Sequence, residues 1–185
     1  MPITTLDATT ALLVIDLQAG TTANPSAHPI DGIIDRAISL VDAFRVHSLP
    51  VVLATVTGTP TGRTGYGPGG REFPAEWSAL VPRLSPQPDD IVLRRRTWSA
   101  FADTDLATRL VDLGVTQVVV VGLATSFGVE STARSAYDRG LNVALPTDAM
   151  TDPRAESHEA SVARVFPALG ETGTTAEVLA LLAAR

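Results

Sequence analysis

Short, continuous apolar runs alternate along this chain with segments whose apolar residues recur at three- and four-residue spacing. Strands buried on both faces of a parallel sheet read as continuous runs, whereas amphipathic helices show the longer period. Ala11, Leu12, Leu13, Val14 and Ile15 form the first run, which is too short for an independent helix and ends in the polar stretch Asp16-Leu17-Gln18. Ile30, Ile33, Ile34, Ala37, Val41 and Phe44 then mark one face of a helix that stops near Ser48-Leu49-Pro50. Further strands are predicted over 51–56, 90–95, 117–122 and 142–146. Further helices are predicted over 105–113 with Gly114 as C-terminal cap, over 126–139 with Val129, Ala133, Ala136 and Tyr137 on one face, over 155–165, and from Thr175 onward. A short extended piece is expected near Glu171. The repeated strand–helix order predicts one domain over 1–185, of the α/β class: a three-layer α/β/α sandwich with a mainly parallel central sheet.

Ligands of such open sheets bind outside the carboxyl ends of the strands, where connections diverge. That rule selects Asp16, Arg95 and the Ala124-Thr125-Ser126 turn. The segment 57–74 has no period and holds six of the 14 glycines. Loops of this length in a small domain are functional or disordered, and this one has Tyr66 and Phe73 to offer as a lid.

Composition narrows the chemistry. The chain has 185 residues, a net charge of -6 and no cysteine, and all 14 of its basic residues are arginine. Thiolate and Schiff-base chemistry, disulfides and thiolate metal sites are therefore excluded. The acidic balance offers no basic surface for a polyanion, so nucleic acid is not an expected partner. No apolar run approaches bilayer length and the start lacks the pattern of a signal peptide, so a cytoplasmic protein with no membrane partner is expected.

The places chosen by topology coincide with a family pattern. The pieces TALLVIDLQ (10–18), RRTWSAFADTDL (95–106), VVVVGLATSFGVESTARSAYDRG (118–140), and the later TDAM with His158 and FPALG resemble the isochorismatase-like hydrolases, a group that includes nicotinamidases and N-carbamoylsarcosine amidases. The resemblance implies an Asp at the end of the first strand, a Lys after the third and a Cys nucleophile in the turn after the fourth. Asp16 matches the acid, Arg95 stands in place of Lys, and Gly128 in place of Cys. Isochorismatases that cleave an enol ether are also Cys-free at that place. In relatives the peptide bond before the residue matching Thr125 is cis, which puts Ala124-Thr125 forward as the cis bond here. Nicotinamidase-like relatives carry an Asp and two His after the second strand. This chain has ATVTGTPTGRTGY there, so no metal and no other cofactor are expected.

A carboxylate ending a buried strand loses hydration and gains proton affinity, which suits Asp16 to acid–base work, although a strand-end Asp is also a common turn residue. Arg95 keeps its charge at every working pH and can bind a carboxylate through two parallel bonds, but cannot shuttle a proton. Strand alternation turns it away from Arg94 and Arg96, toward the pocket or, failing that, a solvated strand end. Gly128 either uncovers first-turn amides for an anion or permits close helix–sheet packing. Ser126 and Thr125 can be read as replacement nucleophiles, with an N-cap the better reading of Ser126. Gln18, Trp98, Phe101, Ala124 and Phe127 complete the expected substrate-binding set, the aromatics serving as pocket lining or as ordinary core. His158, in mid-helix, is expected to pack or to face solvent.

These readings converge on a hydrolase of a small anionic molecule, with Asp16 moving a proton, Arg95 supporting charge and water attacking directly. Enol ether cleavage fits best and a water-activating amidase is the variant. The rival class is a catalytically silent binding or assembly protein. A homo-oligomer is expected in either case.

Overall fold

The computed structural model describes residues 2–185. In chain order its elements are β1 (Thr10–Ile15), the single turn α1 (Ala19–Thr22), α2 (Ile30–Val46), β2 (Val51–Val56), a small hairpin of β3 (Arg63–Thr64) and β4 (Gly67–Pro68), β5 (Ile91–Arg95), α3 (Leu106–Asp112), β6 (Gln117–Leu123), α4 (Glu130–Tyr137), β7 (Asn142–Pro146), β8 (Met150–Thr151), α5 (Ala155–Ala160), α6 (Phe166–Leu169), β9 (Glu171–Gly173) and α7 (Thr175–Ala183). Single turns of π-helix, Thr125–Val129 and Ser161–Val165, lead into α4 and join α5 to α6.

The central sheet runs β5-β2-β1-β6-β7-β9, with β8 replacing β7 beside the end of β6. Every pairing in it is parallel. Each residue of β1 and β6 is buried because helices cover both faces. On one side Leu13, Ile15, Val118 and Val120 pack with Leu106 and Leu110 of α3, Ala133 and Ala136 of α4, and Phe166 of α6. On the other, Leu12, Val14, Val119 and Val121 pack with Ile33, Ala37, Leu40 and Phe44 of α2 and Val178 of α7. The architecture is the three-layer α/β/α sandwich that the alternating pattern predicts.

The helix boundaries depart from the simple period at two places. The stretch expected to be helical from 126 opens with the wider π turn. Tyr137, placed on the inner face by its spacing, is 53% exposed at the last residue of α4, where the helix runs out into the turn 138–140. The long glycine-rich segment is partly ordered by β3 and β4. Tyr66 stands at the hairpin tip, 84% exposed, while Phe73 packs on Trp77 at 4.2 Å between ring centroids. Gly114 ends α3 as expected, with φ +66° and with the Val115 N–H reaching Leu110 O at 2.9 Å.

From β1 the chain moves outward through β2 to β5, then crosses back to β6 on the other flank of β1. Strand order therefore reverses between β1 and β6, which makes their carboxyl ends the switch point at which ligands of such sheets bind. The two strands approach closely there. Gly122 faces Ile15 with φ +112°, and a Cβ on it would lie 2.1 Å from the Ile15 carbonyl oxygen. Only a residue without a side chain fits this backbone. Gly122→Ala is expected to cost more than about 2 kcal/mol, read as a lowered urea midpoint, whereas a wild-type midpoint would mean that the strands part without penalty.

Candidate active site

Asp16 is the first residue beyond β1. Its N–H continues the ladder to Ala54 O at 2.9 Å, after which the chain turns with φ +50°, and the Thr21 hydroxyl bonds the Asp16 carbonyl. Asp is among the few residues other than Gly that tolerate this left-handed conformation. The turn directs the side chain inward, and Asp16 is only 7% exposed.

Arg95 ends β5 and alternates as expected: it is 2% exposed, while Arg94 and Arg96 lie toward solvent. Its Nη1 donates to Asp16 Oδ1 at 2.6 Å and its Nη2 to Asp16 Oδ2 at 2.9 Å. Nε and Nη2 also donate to the Trp98 carbonyl, at 3.2 and 2.8 Å. The parallel bonds available to this guanidinium thus go to Asp16 and not to a ligand carboxylate. Burial, the dominant influence, pushes the Asp16 carboxyl above the usual carboxylate range, while the charge and hydrogen bonds of Arg95 pull it back.

Gly128 closes the other side. A Cβ there would lie 2.8 Å from Ile15 Cγ2, 2.9 Å from Leu123 O and 3.2 Å from Asp16 Oδ2. Of the two readings of this glycine, close packing is the one these distances favour. Ala124, Thr125, Ser126 and Phe127 come with it in the turn after β6, and Phe127 meets Trp98 edge-on at 5.0 Å. Trp98 is 58% exposed, so this aromatic pair lies at the rim.

Other expected residues sit elsewhere or act differently. Gln18 is fully buried and ties the end of β1 to β2: Nε2 donates to Val56 O at 2.9 Å and Oε1 accepts Val56 N–H at 2.8 Å. Phe101 belongs to the core, with the Arg139 guanidinium 4.9 Å from its ring centre. Ser126 does not cap the helix. Its N–H and Oγ both donate to Asp152 Oδ2, each at 2.8 Å, so a carboxylate 26 positions later supplies the cap. The cis bond is Leu123-Ala124, one residue earlier than Ala124-Thr125, at the junction where β6 ends and the chain turns. His158 is neither ordinary packing nor plain surface: its Nδ1 lies 2.8 Å from Thr125 Oγ1. Asp152 and the His158–Thr125 contact carried no local signal, since each joins residues distant in sequence. Among the described residues no group of three or more His, Asp or Glu side chains is arranged to hold a metal ion, and no helix is long and apolar enough to cross a membrane.

Comparison with known proteins decides the family. Residues 10–177 match the isochorismatase domain. The chain belongs to the isochorismatase family. The isochorismatase family protein YwoC of Bacillus subtilis (strain 168) is 37% identical over 181 residues, covering 92% of each chain. A solved isochorismatase family protein from Burkholderia thailandensis superimposes with a TM-score of 0.92 at 35% identity, covering 97% of this chain and 98% of that one. Nicotinamidase 3 of Arabidopsis thaliana is 30% identical over 167 residues, covering 82% of this chain and 78% of that one. This isochorismatase-family hydrolase therefore places a carboxylate–guanidinium pair at the switch point of its sheet.

Removing one partner of such a pair leaves a buried charge. Arg95→Met is expected to lose about 3–5 kcal/mol at neutral pH in chemical denaturation, and Asp16→Asn combined with Arg95→Met to recover most of it. Because burial raises the proton affinity of Asp16 on folding, the folded Arg95→Met protein takes up a proton before the unfolded chain does. The gap between the single and double variants should therefore close as pH falls through the raised Asp16 value. A gap independent of pH would show that the carboxyl is hydrated.

Proposed function

We propose that this protein hydrolyses a small anionic substrate without a covalent enzyme intermediate, Asp16 acting as acid and base with Arg95 as its electrostatic support and Gly128 in the place of a nucleophile. The observation that carries the reading is the Asp16 carboxyl, buried, paired with Arg95 through two bonds and within 3.2 Å of where a Gly128 Cβ would stand. The chain has no cysteine to supply there.

Enol ether cleavage suits these groups. Protonated Asp16 gives its proton to the vinyl carbon, and the ether carbon becomes an oxocarbenium ion. Water adds to that carbon, its proton returns to the Asp16 carboxylate, and the hemiketal collapses to a ketone and an alcohol. One water is consumed and nothing is bonded to the protein. Arg95 cannot deprotonate, so it neutralises the Asp16 carboxylate the moment the proton leaves. With Asp16 protonated the pair carries a single positive charge, which favours an anionic substrate. Such a substrate in turn raises the proton affinity of the acid that must react with it. Amide hydrolysis by water activated at Asp16 is the alternative on the same residues, in line with the similarity to Nicotinamidase 3.

One observation favours a silent binding or assembly role instead: both Asp16 oxygens are already occupied by Arg95. A substrate screen separates the readings. Enol ethers of 2-hydroxyacrylate, isochorismate among them, and small amides are offered to the wild type and to Asp16→Asn. Turnover by the wild type, reduced at least about 100-fold in Asp16→Asn, is the expected result. Turnover that survives the substitution removes Asp16 from the chemistry, and no turnover of any candidate supports the silent reading.

A further inference from the structure

The turn that walls Asp16 is held from behind by residues outside the site. Thr125 is fully buried, and its hydroxyl meets His158 Nδ1 of α5 at 2.8 Å. Ser126, the next residue, is tied through N–H and Oγ to Asp152, itself 1% exposed. The two π turns are linked as well: Glu130, directly after the first, accepts from Ser161 Oγ of the second at 2.7 Å. Wide turns of this kind cost backbone geometry and recur at functional sites. Here the segment from β8 to α6 grips the first of them at each end.

The His158 ring also faces a second imidazole. His28, ahead of α2, packs edge-on at 4.8 Å between centroids, and its Nδ1 lies 2.9 Å from Thr151 Oγ1 on β8. Both rings are thus fixed by threonine hydroxyls on neighbouring elements. The charged and titratable groups around His158 are His28, Asp152 at the end of β8, and Glu159 on α5 itself. The π turn packed against it, Thr125–Val129, contributes no titratable residue.

We propose that His158 is a positioning residue of the candidate site, holding through Thr125 the turn that carries Phe127 and Gly128 against Asp16, and that protonation of its ring loosens that hold. The proposal rests on reading this turn as the substrate-facing wall. With its proton on Nε2, the neutral ring accepts the Thr125 hydroxyl at Nδ1. When the ring is protonated, Nδ1–H must donate instead, the Thr125 proton has to rotate away within a buried site, and a cation appears beside His28. Burial first, and then the nearby His28, push His158 below its ordinary proton affinity, outweighing Asp152 and Glu159. The folded state therefore favours the neutral ring, and the hold is complete above the free-histidine value and lost as pH falls through the depressed one.

Trp98 reports the position of the turn through its 5.0 Å contact with Phe127. In 15N-labelled protein, the His158 ring nitrogens and the Trp98 indole N–H, told from that of Trp77 by Trp77→Phe, are followed from pH 8 to 5. The expected result is a Trp98 resonance that moves with the His158 midpoint in the wild type and loses that response in Thr125→Val. His158→Asn, whose amide can stand where Nδ1 stood, should keep the alkaline position of Trp98 without the pH response, and His158→Phe should have neither. A Trp98 signal that stays fixed while His158 titrates overturns the proposal, as does a Thr125→Val protein with an unchanged response. No substrate enters the measurement, so failure of the positioning role and failure of hydrolysis at Asp16 are read separately.

Discussion

A guanidinium taken almost fully out of water can shed neither its charge nor its need for acceptors, and Arg95 is in that position at the end of β5. Its acceptors must be fixed in advance by the surrounding backbone. The left-handed turn at Asp16 supplies two oxygens and the Trp98 carbonyl a third. These contacts link β5 across β2 to β1, and the close approach of Gly122 and Gly128 brings the β6 side up to them. The site is therefore a set of mutually dependent placements around one charge.

The pair also sets what chemistry is open. A lysine in the place of Arg95 would carry a proton that burial can remove, whereas the arginine is a constant. Variable protonation at the pair is left to Asp16, and behind the wall to His158. Both are shifted by burial toward their neutral forms, one upward and one downward. The fold thus holds two titrating groups at different depths, with the fixed positive charge of Arg95 paired to Asp16.

Most of the architecture was legible because burial on both faces leaves a strong mark: uninterrupted apolar runs for β1 and β6, and a clear helical face for α2. The alternation of Arg94, Arg95 and Arg96 was equally readable, since strand geometry fixes opposite faces. What escaped was long-range or irregular. A π turn adds a residue without changing composition, so nothing in TSFGV marks one. Ser126 has the residue type of a cap and is capped instead by Asp152, and Gln18 has the type of a ligand contact yet completes the join of β1 to β2. The Thr125–His158 bond joins positions 33 apart, a separation at which residue identity alone carries no geometric information.

The crowding around Gly128 bears on how this scaffold can change. With Ile15 Cγ2 and the Leu123 carbonyl both inside normal contact of any added carbon, a thiol cannot simply be grafted there. One of those neighbours is main chain and cannot be trimmed, so the wall itself would have to shift outward, and with it the tie to α5. Any side chain at this position therefore requires coordinated replacements around it, since a change at 128 alone leaves its neighbours overcrowded.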